Sequence, residues 1–218
     1  MNGRVTDPEQ GTRWWRWHLD YDDPASALSR RLDVVQRRIR DAVEDAPMGT
    51  IRLISVCAGQ GRDVLGALDQ HSRAADVVGR LVELDDANAR AAVSALSTSG
   101  LTGIEVVRAD ASVTDAYGGA VPANVLLLCG VFGNVSDADI ERTVRNASRL
   151  CASGAVVIWT RHRRPPDLTD AIRDWFEQSQ FVEVAFDSPQ DQSFAVGTHR
   201  LVGDPLPFAH GLRLFEFA

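Results

Sequence analysis

The chain has no lysine: all 23 of its basic residues are arginine, set against 30 acids in 218 residues. That absence removes Schiff-base chemistry, a lysine general base and a phosphate-gripping P-loop lysine. The net charge of −7 speaks against a nucleic-acid partner, because phosphate affinity depends on clustered positive charge. Cysteine is scarce. Cys57, Cys129 and Cys151 stand far apart, with no Cys-x-x-Cys pair and no histidine at ligand spacing, so neither a disulfide frame nor a zinc site is expected. Long apolar runs are missing too. Nothing approaches the roughly 20 residues that cross a bilayer, and the chain opens on polar residues where a signal core would be apolar. A cytoplasmic protein without a membrane partner is expected.

What is present is ordinary globular composition, 44% hydrophobic and 24% charged, enough for one sizeable core. From residue 51, apolar runs alternate with helical patterns: Ile51 to Cys57, Val77 to Leu84, Ile104 to Ala109, Val125 to Cys129 and Ala155 to Trp159. Their near-continuous apolarity predicts five parallel strands covered by helices on both faces, a doubly wound α/β architecture. Helices are predicted over Arg62 to His71, Ala87 to Thr98, Asp137 to Leu150 and Thr169 to Ser179, the third capped by Ser136. Phe181 to Phe186 and Phe194 to Leu201 are joined by a spacer too short for a crossover, so they should pair antiparallel. The tail Leu212 to Phe217 alternates weakly, as a short edge strand would.

Residues 1–46 read as an extension of the main domain at residues 47–218. The extension holds Trp14, Trp15, Trp17, His18 and Tyr21, then an arginine-rich helix over Ser26 to Asp45. Leu28, Leu32, Val35, Ile39 and Val43 give that helix one apolar face, which should dock on the core. The aromatic residues either staple the extension down or wall a ligand site.

The most informative stretch is Ile54-Ser-Val-Cys-Ala-Gly-Gln-Gly-Arg-Asp63, where a strand runs into a helix through Gly59-Gln60-Gly61. Such a turn lets a ligand approach the backbone, at a helix end with unpaired N–H groups. Glu83, 22 residues after Gly61, ends the second strand, where a carboxylate can accept both hydroxyls of a ribose, and Asp110 closes the third. A dinucleotide fingerprint would need a third glycine where Val64 stands.

The glycine turn, Val82-Glu83-Leu84-Asp85 and Arg108-Ala109-Asp110-Ala111 together resemble the class I S-adenosylmethionine-dependent methyltransferases, over about residues 50–201. The resemblance implies a mostly parallel, seven-stranded, Rossmann-like sheet with an N-terminal helical extension. It implies that Ala58, Gly59 and Gly61 line the methionine part of S-adenosyl-L-methionine, that Glu83 binds the ribose, that Leu84 packs on adenine, and that Asp110 and Ala111 read its amino edge. Cys129, at the end of the fourth strand, completes the expected cofactor set. The family usually opens this motif with an acid and has glycine two residues before Gly59; here stand Ser55 and Cys57. Asp63 is the expected substitute for the missing acid.

After the fourth strand, Leu128-Cys129-Gly130-Val131-Phe132-Gly133-Asn134 lacks the signatures of amine-on-base methylation, and Cys129 and Thr160 are not a magnesium-binding pair. A lysine-dependent ribose methylation is excluded outright. The expectation is a metal-independent methyltransferase acting on a small molecule, with Trp14, Trp17, Tyr21, Phe132, Asn134 and Arg161 on the substrate side. His162, with His18 as second candidate, would serve as base if the acceptor loses a proton. The alternatives are a nicotinamide-dependent oxidoreductase and a non-catalytic S-adenosylmethionine-binding module.

Overall fold

The computed structural model describes Tyr21, Asp23 and residues 25–217. Its centre is a seven-stranded sheet of β1 (Ile51–Val56), β2 (Val77–Glu83), β3 (Ile104–Arg108), β4 (Ala123–Leu128), β5 (Cys151–His162), β6 (Phe181–Asp187) and β7 (Phe194–Leu201). The order across the sheet is β3-β2-β1-β4-β5-β7-β6. β1 to β5 run parallel, and β7 is inserted antiparallel between β5 and β6. The order reverses between β1 and β4, so a crevice opens at their carboxyl ends, where sheets of this kind take ligands.

Among the described residues, five α-helices cover the two faces: α1 (Ala27–Glu44), α2 (Arg62–Leu68), α3 (Asp86–Ser99), α4 (Asp137–Asn146) and α5 (Thr169–Gln178). Val35, Ile39 and Val43 of α1 and Val64 and Leu68 of α2 share one core with Leu53, Leu81 and Leu127 of the sheet. Ile140 and Val144 of α4 and Ile172 and Phe176 of α5 share the other with Ile54, Leu126 and Trp159. This two-faced burial accounts for the unbroken apolar runs.

The first helix shows how local chemistry sets its limits. Ser26 caps α1 by accepting from the Ser29 amide at 2.9 Å, and the Asp45 amide closes the far end on the Asp41 carbonyl. The apolar stripe then docks α1 on α2, where Gln36 donates to the Arg62 carbonyl at 2.9 Å and Arg40 to that of Gly66 at 2.6 Å. Arg37 and Arg38 grip the two oxygens of Asp187 on β6. Arg73 binds the carbonyls of Val43, Ala46 and Pro47 at 2.6–2.9 Å, collecting the loose end of α1 in one planar fork.

Three expectations are corrected. α2 stops at Leu68 rather than His71, because the chain leaves helical geometry at Asp69 and Gln70 is left-handed. β5 runs to His162 rather than Trp159, because Arg161 and His162 pair with Ala195 and Phe194 of β7 beyond the apolar stretch. The tail is not an edge strand. Among the described residues its strand-type pairing is limited to single bridges, Arg213 to Val113 and Phe217 to Val135, and Leu214 and Phe215 sit in the core.

Candidate functional site

At the carboxyl ends of β1 and β2 the backbone turns through three left-handed residues in five: Cys57 (φ +55°), Gly59 (+57°) and Gly61 (+71°). Cys57 thus occupies a conformation that strains any residue with a side chain, by roughly 1–2 kcal/mol, at the position where the resembled family has glycine.

Glu83 organises this turn. Only 8% exposed, it accepts from the Gly59 amide at 2.7 Å with one oxygen and from the Asp85 amide at 2.7 Å with the other. Burial raises its pKa, partly offset by those amides. Each oxygen keeps a second lone pair, so the carboxylate can still receive two hydroxyls. Asp85 caps α3 through the Asn88 amide, and Gln60 reaches the Asn88 side chain at 3.3 Å, which ties the turn to the neighbouring helix.

These residues border a cavity of about 300 Å³. Cys57, Ala58 and Gly59 come to it from β1, Glu83, Leu84, Asp85 and Asn88 from β2 and α3, Asp110 and Ala111 from β3, and Cys129 and Gly130 from β4. Tyr21 and Arg31 close it from the extension, and Phe217 from the tail. Leu84 is 60% exposed, a large apolar side chain with its surface held open. Asp110 keeps its pKa low by accepting from the Ser112 hydroxyl at 2.6 Å and amide at 2.9 Å, with Arg213 3.5 Å away. Burial raises the thiols of Cys57 and Cys129, which therefore stay protonated and apolar.

The extension supplies the cation. Arg31 lies one turn before Val35 on the docking stripe of α1, so the packing that buries Val35 also carries Arg31 to the cavity. Its guanidinium donates to the Tyr21 hydroxyl at 3.3 Å, and Arg62 sits over the Tyr21 ring, 5.5 Å from its centroid. Burial raises the Tyr21 hydroxyl's pKa.

Asp63 stands in the first turn of α2, accepting from the Val64 amide at 2.8 Å. Burial pushes its carboxyl up to about 6, against the pull of backbone amides and of Arg31. Between about pH 4 and 6 the folded chain therefore holds a proton that the unfolded chain has released. This contribution to stability is full below the unfolded value and is lost as pH rises through about 6. Urea midpoints at pH 5 and pH 7 are expected to differ less in Asp63→Asn than in the parent, and an equal difference would refute the assignment.

Not all the expected residues gather here. Gly61 begins α2 behind the lining, and Asp63 lies within electrostatic reach of Tyr21, Arg31 and Cys129. Phe132, Asn134 and Arg161, expected to face substrate, hold a loop instead. Phe132 is fully buried against Trp159, Asn134 donates to the Gly130 carbonyl at 2.7 Å, and Arg161, 7% exposed, donates to the Phe132 carbonyl. Together they aim Gly130 at the cavity. His162 ends β5 without lining the cavity; burial lowers its pKa and its Nδ1 has no partner among the described residues. Arg163 is engaged by Asp167 at 2.9 Å and Ser188 at 2.6 Å. Trp14, Trp17 and His18 lie outside the described residues. Arg31, Asn88 and Phe217 join the lining without a signal in the sequence: the stripe on α1 is legible, but not which arginine its docking brings to the crevice.

No protein-family model matches the chain, and no curated protein does. Among solved structures, its fold is shared with magnesium protoporphyrin IX methyltransferase from Synechocystis PCC 6803, a structure with bound S-adenosylmethionine, at TM-score 0.66 and 11% identity over 87% of this chain and 91% of that one. An O-methyltransferase family protein from Burkholderia thailandensis aligns at TM-score 0.58 and 13% identity over 76% of this chain, which spans only 56% of that protein's length. A possible exported protein from Bordetella parapertussis aligns at TM-score 0.66 and 15% identity, covering 91% and 81% of the two chains. The chain has the Rossmann-like fold of the class I methyltransferases.

Proposed function

We propose that the chain is an S-adenosylmethionine-dependent methyltransferase acting on a small molecule without a metal. One observation carries the reading: among the described residues the cavity at the glycine turn is lined by three carboxylates, Glu83, Asp85 and Asp110, and one guanidinium, Arg31. That balance suits a ligand with net positive charge and opposes a pyrophosphate. S-adenosylmethionine, when bound, supplies a methyl group activated on a sulfonium centre.

The residues present fit such a ligand. Glu83 accepts the ribose hydroxyls with its two remaining lone pairs, Leu84 offers an apolar face to the purine, and Asp110 with the Ala111 amide faces the purine's polar edge. At the other end Arg31 takes the carboxylate of the amino-acid portion and Asp63 lies beside its ammonium, replacing the acid missing at Ser55. Tyr21 and Gly130 bound the remaining side, and with the extension as a lid they exclude water and align the acceptor, the main source of rate in a transfer of this kind. His162, neutral at pH 7 through its lowered pKa, is the proposed base where the acceptor must lose a proton. Among the described residues no three of His, Cys, Asp or Glu converge as metal ligands. No helix of the described residues is long and apolar enough to cross a membrane, and the free thiols fit a cytosolic setting.

Calorimetry with S-adenosylmethionine, S-adenosylhomocysteine and NADH tests this, with binding of the first two and none of the third expected. Arg31→Ala should weaken S-adenosylhomocysteine on the order of tenfold or more, as loss of a charge-assisted hydrogen bond does. It should leave 5′-methylthioadenosine, which lacks the amino-acid portion, unchanged. Equal losses for both ligands would remove Arg31 from its role. Tight cofactor binding without transfer to any of a broad panel of acceptors would favour a non-catalytic module.

A further inference from the structure

Leu201 ends β7 at the amino edge of the sheet, level with Phe181 and beyond the Arg200–Val156 pair. The cavity lies at the opposite edge, and residues 203–217 cover that distance. Fifteen residues reach about 50 Å when extended, at about 3.3 Å each, so the strap has ample length.

It is pinned along its course. Near the amino edge Arg149 donates to the Pro207 carbonyl at 2.7 Å. Beside the loop after β3, the Thr114 amide donates to the Leu212 carbonyl at 3.0 Å and the Leu212 amide to the Thr114 hydroxyl at 3.1 Å, while the Leu214 amide donates to the Ser112 carbonyl at 2.7 Å. Leu214 is then held from α4, its carbonyl accepting from Arg142 and Thr143 at 3.0 Å. The Glu216 amide donates to Asp139 at 3.1 Å. A segment merely passing over the sheet would not need so many specific anchors, and they fix the path by which it reaches the cavity.

The strap reaches the cavity at Phe217. Leu214 and Phe215 are buried, but Phe217 is 47% exposed and forms part of the cavity wall. Arg213, four residues earlier, reaches Asp110 and donates to the Ser112 hydroxyl at 2.7 Å, so the strap also steadies the carboxylate at the β3 end of the cavity. Phe217 and Leu84 are two large apolar side chains with open surface on one lining, beside a fixed acid. Two such apolar side chains beside an acid suit a flat, apolar-faced ring with a polar edge.

We propose that Phe217 is a purine-binding residue, and that the strap exists to deliver it: the adenine of an adenosyl ligand lies against its ring, with Leu84 as the other apolar contact. This rests on the adenosyl reading of the cavity, and adds that the tail, outside the sheet, is part of the binding site. Stacking of this kind tolerates exchange among aromatic rings and is lost with an aliphatic stub.

The test is calorimetry of the full chain with S-adenosylhomocysteine and 5′-methylthioadenosine, which share adenosine and differ at the amino-acid end. Phe217→Ala should weaken both by about tenfold, with an unliganded thermal midpoint close to the parent's, and Phe217→Tyr should retain both affinities. Unchanged affinities in Phe217→Ala overturn the proposal, as does a loss for S-adenosylhomocysteine alone. Should the parent chain bind neither ligand, the adenosyl reading itself fails, whereas a parent that binds both with Phe217→Ala unaffected refutes the strap's role alone.

Discussion

Glu83→Ala is expected to abolish measurable binding of S-adenosylhomocysteine, weakening it at least about a hundredfold, and to lower the unliganded thermal midpoint as well. The two effects share one cause. The carboxylate holds the Gly59 and Asp85 amides at 2.7 Å each while lining the cavity, so removing it takes away the proposed ribose acceptors and strands two donors. A buried donor left without a partner costs about 1–3 kcal/mol, and the turn that must approach the ligand is the structure that loses its restraint. Glu83→Gln should be nearly as damaging, since its –NH₂ group must oppose one of two N–H donors. Calorimetry and thermal melts on both variants check this; a binding loss confined to the alanine variant would show that Glu83 contributes by charge-independent acceptance alone.

Trp159→Ala is expected to cost about 3–5 kcal/mol of stability, the upper end of what truncating one core side chain does, or roughly 6–20 °C in the midpoint for a domain of this size. The indole is fully buried, with the rings of Phe132, Phe176, Phe186 and His199 centred 6.1–6.2 Å away. Its Nε1 donates to His199 Nδ1 at 3.2 Å, so truncation also leaves a buried imidazole nitrogen unpaired. A bare glycine faces the indole across the ladder: a Cβ on Gly197 would come within 2.2–2.5 Å of it, which makes Gly197 and Trp159 one fitted pair. Because Phe132 rests on this ring, ligand affinity should fall with stability. Urea denaturation followed by circular dichroism measures the first effect, and an unaltered midpoint would show that the cavity is filled by neighbours.

The parts of this fold legible in the sequence are those decided by nearest neighbours along the chain. Ser136 announces its helix because a cap is made within three residues, and β7 is readable at Phe194–Leu201 because both its faces are covered. The glycine turn and Glu83 are likewise legible, since a strand-to-helix turn and a strand-end acid are local features. What escapes depends on distant pairing. β5 is lengthened by its ladder with β7, and the tail alternates like a strand yet spends its hydrogen bonds on Ser112, Asp139 and the side chains of α4. Arg31 and Phe217 escape for the same reason: an arginine among many and a phenylalanine near an end carry no signal until α1 and the strap are docked. Conversely, Phe132 and Arg161 follow a strand end closely enough to suggest a substrate-facing role, but the loop's own hydrogen bonding and packing turn them inward.

The anchoring of α1 has a mechanical corollary. With Arg73 gathering the carbonyls at its end, Gln36 and Arg40 fastened to α2, and Arg37 and Arg38 to Asp187, the helix cannot swing away from the sheet as a rigid lever without severing all three attachments together. Ligand traffic is thereby shifted to rotations of individual side chains at the rim, Tyr21 among them, instead of a hinge between lobes. Exchange of a ligand at this cavity is then expected to need only local excursions of the rim, decoupled from opening of the fold.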